Sequence, residues 1–228
     1  MKTKVKKETT LSVLQDIRDM MREHWGEDKK PRSVGEKIVK DWQDAHFDVI
    51  NLADKPLPLN VPEVPNGHFL IYIPSLTMKE IVEEADDKAS DGKPLVYNIS
   101  WYKDEKFYTE ELTRAGWYVV SERLFGKNKN WGEQETEIKN LKGKRLNAAE
   151  ELYIQYAYEK VNGKKLTHGD HVKNDSPYNW EYAWTSSLSS YGYVVHVGGF
   201  GADGVFVADA YPVLRHADLG FRLSRRCS

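Results

Sequence analysis

Residues 189–211 read SSYGYVVHVGGFGADGVFVADAY, and this tract restricts the fold more than any other part of the chain. Aromatic and β-branched residues alternate along it with the period of a strand, and glycines interrupt the alternation. A chain with this ending must build a sheet around its C-terminal part. Lysine and glutamate, common upstream, are absent from the tract. Both residues are depleted in strands generally, yet the solvent-facing positions of an ordinary sheet carry charge, so strand propensity explains the absence poorly.

At 228 residues the chain is long for one domain and short for two. A hydrophobic fraction of 40% with seven tryptophans supports a real core. A net charge of −2 gives no general reason to expect nucleic acid or an anionic membrane as partner. No run approaches the apolar length of a membrane span, and the N-terminal MKTKVKKETTLSVL is basic without the apolar stretch of a secretory signal. The expectation is a soluble, cytoplasmic protein. One cysteine, Cys227, leaves no internal disulfide and no cysteine-rich metal site.

Leu11, Leu14, Ile17 and Met21 fall three and four apart and predict a helix over 10–24, with Thr9 or Thr10 as its N-cap. Pro31 marks a break, and a second amphipathic helix after Ser33 carries Val34, Ile38 and Trp42. The segment KPLPLNVPEVPNG (55–67) holds four prolines and reads as an extended connector. The chain thus divides into an N-terminal helical segment with its connector, residues 1–60, and a larger domain, residues 61–228. In that domain HFLIYI (68–73) reads as a strand and a helix begins near Thr77. LVYNISWY (95–102) and GWYVVSERL (116–124) read as strands flanking the polar turn KDEKFYTEELTRA. Residues 131–144 read as a charged, mobile connection. A strong helix follows over 147–161, and 163–179 form a polar loop. There is no internal repeat and no low-complexity block.

The residues by themselves nominate no catalytic site. His168 and His171 flank Asp170 in THGDH, but two loop histidines without further ligands are a weak metal signal, and solvated side chains explain them better. GGFGADG (198–204) resembles a phosphate cradle only superficially, because the strand-like VFVADAY follows where a helix N-terminus is required. Seven scattered histidines and abundant acids permit a Ser-His-acid set on paper and single out none. The run EIVEEADD reads as the wet face of a helix. No metal and no cofactor are expected.

Three stretches carry a resemblance. RLNAAEELYIQYAY (145–158) resembles the helix entry of the formylglycine-generating-enzyme family, and LGFRLSR (219–225) resembles that family's closing strand. AWTSS (183–187) is similar to the Trp-Ser-Ser turn these domains share with C-type-lectin-like proteins. The resemblance covers about residues 95–228 and implies an α+β, C-type-lectin-like fold: helices on a small, irregular antiparallel sheet with long loops. The departures are as informative. The family's oxidases use a pair of cysteines, and this chain has one; an iron-binding lineage uses clustered His and carboxylate, a pattern missing at 11–46. The Glu-Pro-Asn and Trp-Asn-Asp motifs of calcium-dependent lectins are also missing. Fold and chemistry separate readily, so the scaffold is expected without the catalysis.

The C-terminal composition resembles that of variable proteins of diversity-generating retroelements. In these systems adenine-directed mutagenesis of asparagine codons yields Tyr, Phe, His, Asp, Ser, Ala, Gly, Val or Leu, but never Lys, Glu, Gln, Met or Trp. From Thr185 to Ser228 none of those five residues occurs, although they form about a third of what precedes. The resemblance implies a variable region over 185–218 on an invariant scaffold that includes Trp184, Gly220, Phe221 and Arg222. The expected ligand-binding residues are Ser189, Tyr191, Tyr193, His196, Phe200, Phe206, Ala208, Asp209, Tyr211 and His216. Strand alternation would place Tyr191 and Tyr193 on one face, and Gly198 and Gly199 would allow a turn or bulge beyond them.

The expected function is non-catalytic recognition of an unidentified protein or surface ligand. A formylglycine-generating-enzyme-like or iron-dependent oxidoreductase, and a lectin-like domain of fixed specificity, are the alternatives. The N-terminal helices are open between an accessory and an oligomerising role.

Overall fold

A computed structural model describes residues 64–87, 94–97, 99–167, 180–201 and 203–227, all within the unit Pro58–Ser228. The helices expected at 10–24 and after Ser33, most of the proline-rich connector, the boundary at 60–61 and the loop holding His168 and His171 lie outside the described residues.

The described residues form an α+β arrangement. The strands are β1 (His68–Ile73), β2 (Val96–Tyr97), β3 (Gly116–Phe125), β4 (Tyr182–Leu188), β5 (Val194–Gly201), β6 (Gly204–Ala210) and β7 (Leu219–Arg226). The helices are α1 (Met78–Asp87), α2 (Lys106–Thr109), α3 (Trp131–Asn140) and α4 (Ala148–Asn162). The sheet order is β1–β3–β7–β4–β5–β6–β2. It is larger than the small antiparallel sheet expected, and it is mixed: β4 pairs parallel with β7, and β2 parallel with β6. The expected irregularity is present as register shifts in the β3–β7, β4–β5 and β5–β6 pairs.

Helix α4 organises the core, packing against β1, β4 and β5. Asn147 and Glu150 form a capping box at its start, and Gly163, at φ 62°, closes it in the left-handed conformation that glycine adopts without steric cost. Leu152, Ile154 and Ala157 are wholly buried, and so are the carboxylates of Glu150 and Glu151. A buried carboxylate without partners would cost several kcal/mol, and each has a guanidinium. Arg114 donates to Glu150 at 2.8 and 2.5 Å. Arg222 of β7 donates its Nε to Glu151 at 2.9 and 3.1 Å and its Nη1 to the Ser121 and Glu122 carbonyls. Burial pushes the Glu151 carboxyl above its ordinary range, while Arg222 and Gln155 pull it back.

Two stretches differ from the sequence reading. Residues 131–144 are not a mobile connection: α3 occupies most of them, opened by an Asn130–Glu133 capping box and burying Gln134 and Ile138. On its inward face Gln134 donates to the Gly126 and Leu219 carbonyls, and Ile138 packs with Phe221 and Leu223, with Leu141 against them. Within 95–102, Val96–Tyr97 form the short strand β2 and Ile99–Trp101 form a 3₁₀ helix, in place of one long strand. That turn delivers Tyr102 into a buried ring cluster with Phe107 and Tyr108, at centroid separations of 5.9 and 5.4 Å. The cluster forms around α2, inside the stretch read as a polar turn.

The β5–β6 hairpin confirms that GGFGADG is followed by a strand and not by a helix. Gly198 lies where the backbone of β4 passes closest, and a Cβ there would fall 2.2 Å from the Glu181 carbonyl oxygen.

Candidate functional site

Val194 at the start of β5 pairs with Ala210 at the end of β6. One step further along the same antiparallel register, Tyr193 faces Tyr211. Their ring centroids are 4.4 Å apart and their hydroxyls hydrogen-bond at 2.8 Å. Tyr191 joins them at 6.3 Å from the Tyr193 ring. It does so through a turn and not through strand alternation: the Ser189 N–H donates to the Tyr193 carbonyl, the Gly192 N–H donates to the Ser189 carbonyl, and Gly192 sits at φ 78°. Tyr191 is 80% and Tyr211 61% exposed. The Tyr193 phenol is held above its ordinary pKa by the hydrogen bond to Tyr211, then by burial and by the nearby charge of Asp209.

The surface rests on fixed supports. Both carboxylate oxygens of Glu105 accept from Ser190, one from its N–H at 2.8 Å and one from its hydroxyl at 2.7 Å, which pins the β4–β5 turn to the start of α2. Because β7 runs parallel to β4, the connection after Tyr211 must travel back along β4. It is tied down by α3: the Trp131 N–H donates to the Pro212 carbonyl, Asn128 N–H to the His216 carbonyl, and Arg215 pairs with Glu133 at 2.7 Å. Trp131 is held in turn by its Nε1 donating to the Thr185 carbonyl and by the Arg145 guanidinium 4.8 Å from its ring centroid.

The hydroxyls of AWTSS serve this frame. Thr185 donates to the Val195 carbonyl, and Ser187 accepts from the Ala148 N–H while donating to Glu111, locking β4 to the N-terminus of α4. Trp184, Gly220, Phe221 and Arg222 are all buried.

The ten expected binding residues divide. Tyr191, Tyr193 and Tyr211 come together, with Asp209 half-buried beside them. His216 is exposed at the far end of the connection, 3.4 Å from the Asp218 carboxylate. Phe206 and Ala208 lie half-buried on β6, Phe206 stacking on Tyr97 at 6.0 Å. Ser189, His196 and Phe200, expected to face a ligand, are buried. Ser189 closes the turn, and Phe200 lies under the Lys165 ammonium at 4.4 Å.

His196 is the strand partner of Trp184, and its ring sits between Tyr182 and Trp184 at 5.2 and 5.7 Å. Burial lowers its pKa to about 4, so it is neutral at physiological pH. Its Nδ1 has no hydrogen-bond partner among the described residues.

Leu188, Val213 and Leu214 are also exposed, and the sequence reading omitted them. Their signal is an apolar side chain at a strand end or next to Pro212, outside any alternating run. Among the described residues no group of three or more His, Cys, Asp and Glu is placed to hold a metal, and no helix is long and apolar enough to cross a membrane. No family model, curated protein or solved structure gives a significant match to this chain.

Proposed function

We propose that the protein is a non-catalytic recognition module with a C-type-lectin-like scaffold, organised like the variable proteins of diversity-generating retroelements, and that its exposed aromatic surface engages a partner protein. The observation that carries this reading is the Tyr191–Tyr193–Tyr211 cluster, with Tyr191 and Tyr211 exposed around a half-buried Tyr193 and all three held on hydrogen-bonded backbone at one end of the sheet. Tyrosine gives large contact area for little rotamer entropy, and neighbouring Ser, Gly and Asp add adaptable hydrogen bonding, the mixture that antibody paratopes use. Leu188, Tyr191, Tyr211, Val213 and Leu214, five of the eight exposed large apolar side chains among the described residues, fall within 185–218, the region free of Lys, Glu, Gln, Met and Trp, while the motif residues Trp184, Gly220, Phe221 and Arg222 are interior.

Sequencing the locus from several cells of the source population tests the reading. The expected result is a near-copy of the 185–218 coding segment beside a reverse-transcriptase gene. Mismatches should be confined to template adenines and concentrated in the codons for Tyr191, Tyr193, Tyr211, Val213 and Leu214. An invariant segment without a template copy rejects diversification and leaves a domain of fixed specificity.

A further inference from the structure

The stretch that carries the tyrosine surface supplies no basic side chain, while carboxylates flank it. Residues 185–214 contain no lysine and no arginine. Within this stretch Asp209 lies beside Tyr193, and Glu105 holds the turn through Ser190. Neither carboxylate has an ion-pair partner among the described residues. The segment 103–111 that backs the turn sets Lys103 and Lys106 against Asp104, Glu105, Glu110 and Glu111. The next cation along the chain, Arg215, is engaged by Glu133. The tyrosine rings add the negative quadrupole of their faces, and the acceptor oxygens of the joined hydroxyls point the same way electrostatically.

We propose that the partner presents a basic segment to this surface, an arginine or lysine side chain lying over the rings of Tyr191, Tyr193 and Tyr211 with its charge facing Asp209 and Glu105. Arginine fits best, because its planar guanidinium stacks on an aromatic face while its edge donates to a carboxylate. A nucleic acid or an anionic lipid surface fits less well: at the rings it would meet Asp209 and Glu105, and residues 185–214 offer it no lysine or arginine. This rests on the recognition reading above and adds the chemistry of the partner to it.

The test is selection of a phage-displayed random dodecapeptide library on the immobilised full-length protein, counter-selected on the Tyr191→Ser/Tyr211→Ser variant. The expected result is peptides enriched in Arg and Lys over the naive library. A synthetic peptide from that pool should lose on the order of tenfold in affinity on Asp209→Asn with Glu105→Gln, the size of a cation–π contact plus its charge partner. It should weaken similarly between about 50 and about 300 mM salt, where screening shortens the reach of exposed charges. Peptides that depend on the tyrosines but carry no basic enrichment, and that bind the neutralised variant equally well, overturn this inference and leave recognition standing. Recovery of no tyrosine-dependent peptide overturns both. Unchanged thermal unfolding of each variant, whose substituted side chains are exposed or half-buried, confirms that the comparison is between folded proteins.

Discussion

The hydroxyls of Tyr193 and Tyr211 are hydrogen-bonded at 2.8 Å, across the register that Val194 and Ala210 begin. Two residues eighteen apart in sequence thereby form one surface at the open end of the β5–β6 hairpin. Their position follows from strand pairing, so either side chain can be exchanged without moving the other's backbone.

That pairing predicts a titration. Tyr193 is held neutral beyond the ordinary phenol pKa chiefly by its bond to Tyr211. Tyr211→Phe removes the bond, so Tyr193 should ionise at lower pH than in the wild type. Difference absorbance of the phenolate on alkaline titration reads this directly. An unchanged titration curve would show that the two hydroxyls are not coupled in solution.

His196 predicts loss of stability in acid. Its folded pKa is about 4, against an ordinary 6.5. The unfolded chain therefore binds a proton that the folded one refuses between these values. The stabilisation is complete above pH 6.5, falls as pH drops through the window and levels off below about 4. A shift of this size corresponds to about 3 kcal/mol. Denaturant unfolding across that window measures it, and His196→Phe should flatten the dependence.

Arg222 and Glu151 form an ion pair with no solvent exposure on either side chain. Arg222→Met alone leaves a buried carboxylate unpaired and should cost about 3–5 kcal/mol. Arg222→Met with Glu151→Leu removes both charges and should recover most of that loss, a non-additivity that a double-mutant cycle detects.

Arg145 links the surface to its support. Its guanidinium donates to Glu135, to Gln134, and to the Trp131 and Trp184 carbonyls. A lysine cannot span that fork. Arg145→Lys should raise amide exchange at 211–217 while leaving the core of α4 protected, as measured by hydrogen–deuterium exchange. Equal loosening of both would mean that Arg145 serves global stability only.

Gly198→Ala should destabilise by about 1–3 kcal/mol, the usual cost of overpacking, because the new methyl would meet β4 backbone and not a movable side chain. Thermal unfolding compared with Gly192→Ala, whose Cβ has open space but whose φ is positive, separates steric from conformational cost.

Much of the architecture was legible wherever local pattern and tertiary role agree. The strand at 68–73 reads directly from HFLIYI, and α4 from the unbroken run of helix-forming residues AAEELYIQYAYEK. The failures share one physical cause. At α3 the apolar residues Trp131, Ile138 and Leu141 sit among Glu133, Glu135, Glu137 and Lys139, and their burial depends on Trp184, Phe221 and Leu223, distant in sequence. At 95–102 the aromatic run reads as a strand, but Tyr102 is drawn into a ring cluster that only the folded chain assembles. His196 looks like a surface residue in an alternating tract, yet β4 and its Trp184 cover that face.

By itself the sequence determined the local conformations whose causes lie within a few residues: alternating strands near the C-terminus, a capped apolar helix, glycines where the turns fall. It also shows a stretch from residue 185 onward without Lys, Glu, Gln, Met or Trp. Only the tertiary structure decided which of those side chains meet solvent. Burial of a strand residue depends on what lies across the sheet, and for β5 the neighbours come from β4, β6 and α4. Long-range packing thus placed His196 and Phe200 inside and left Tyr191, Tyr193 and Tyr211 together outside.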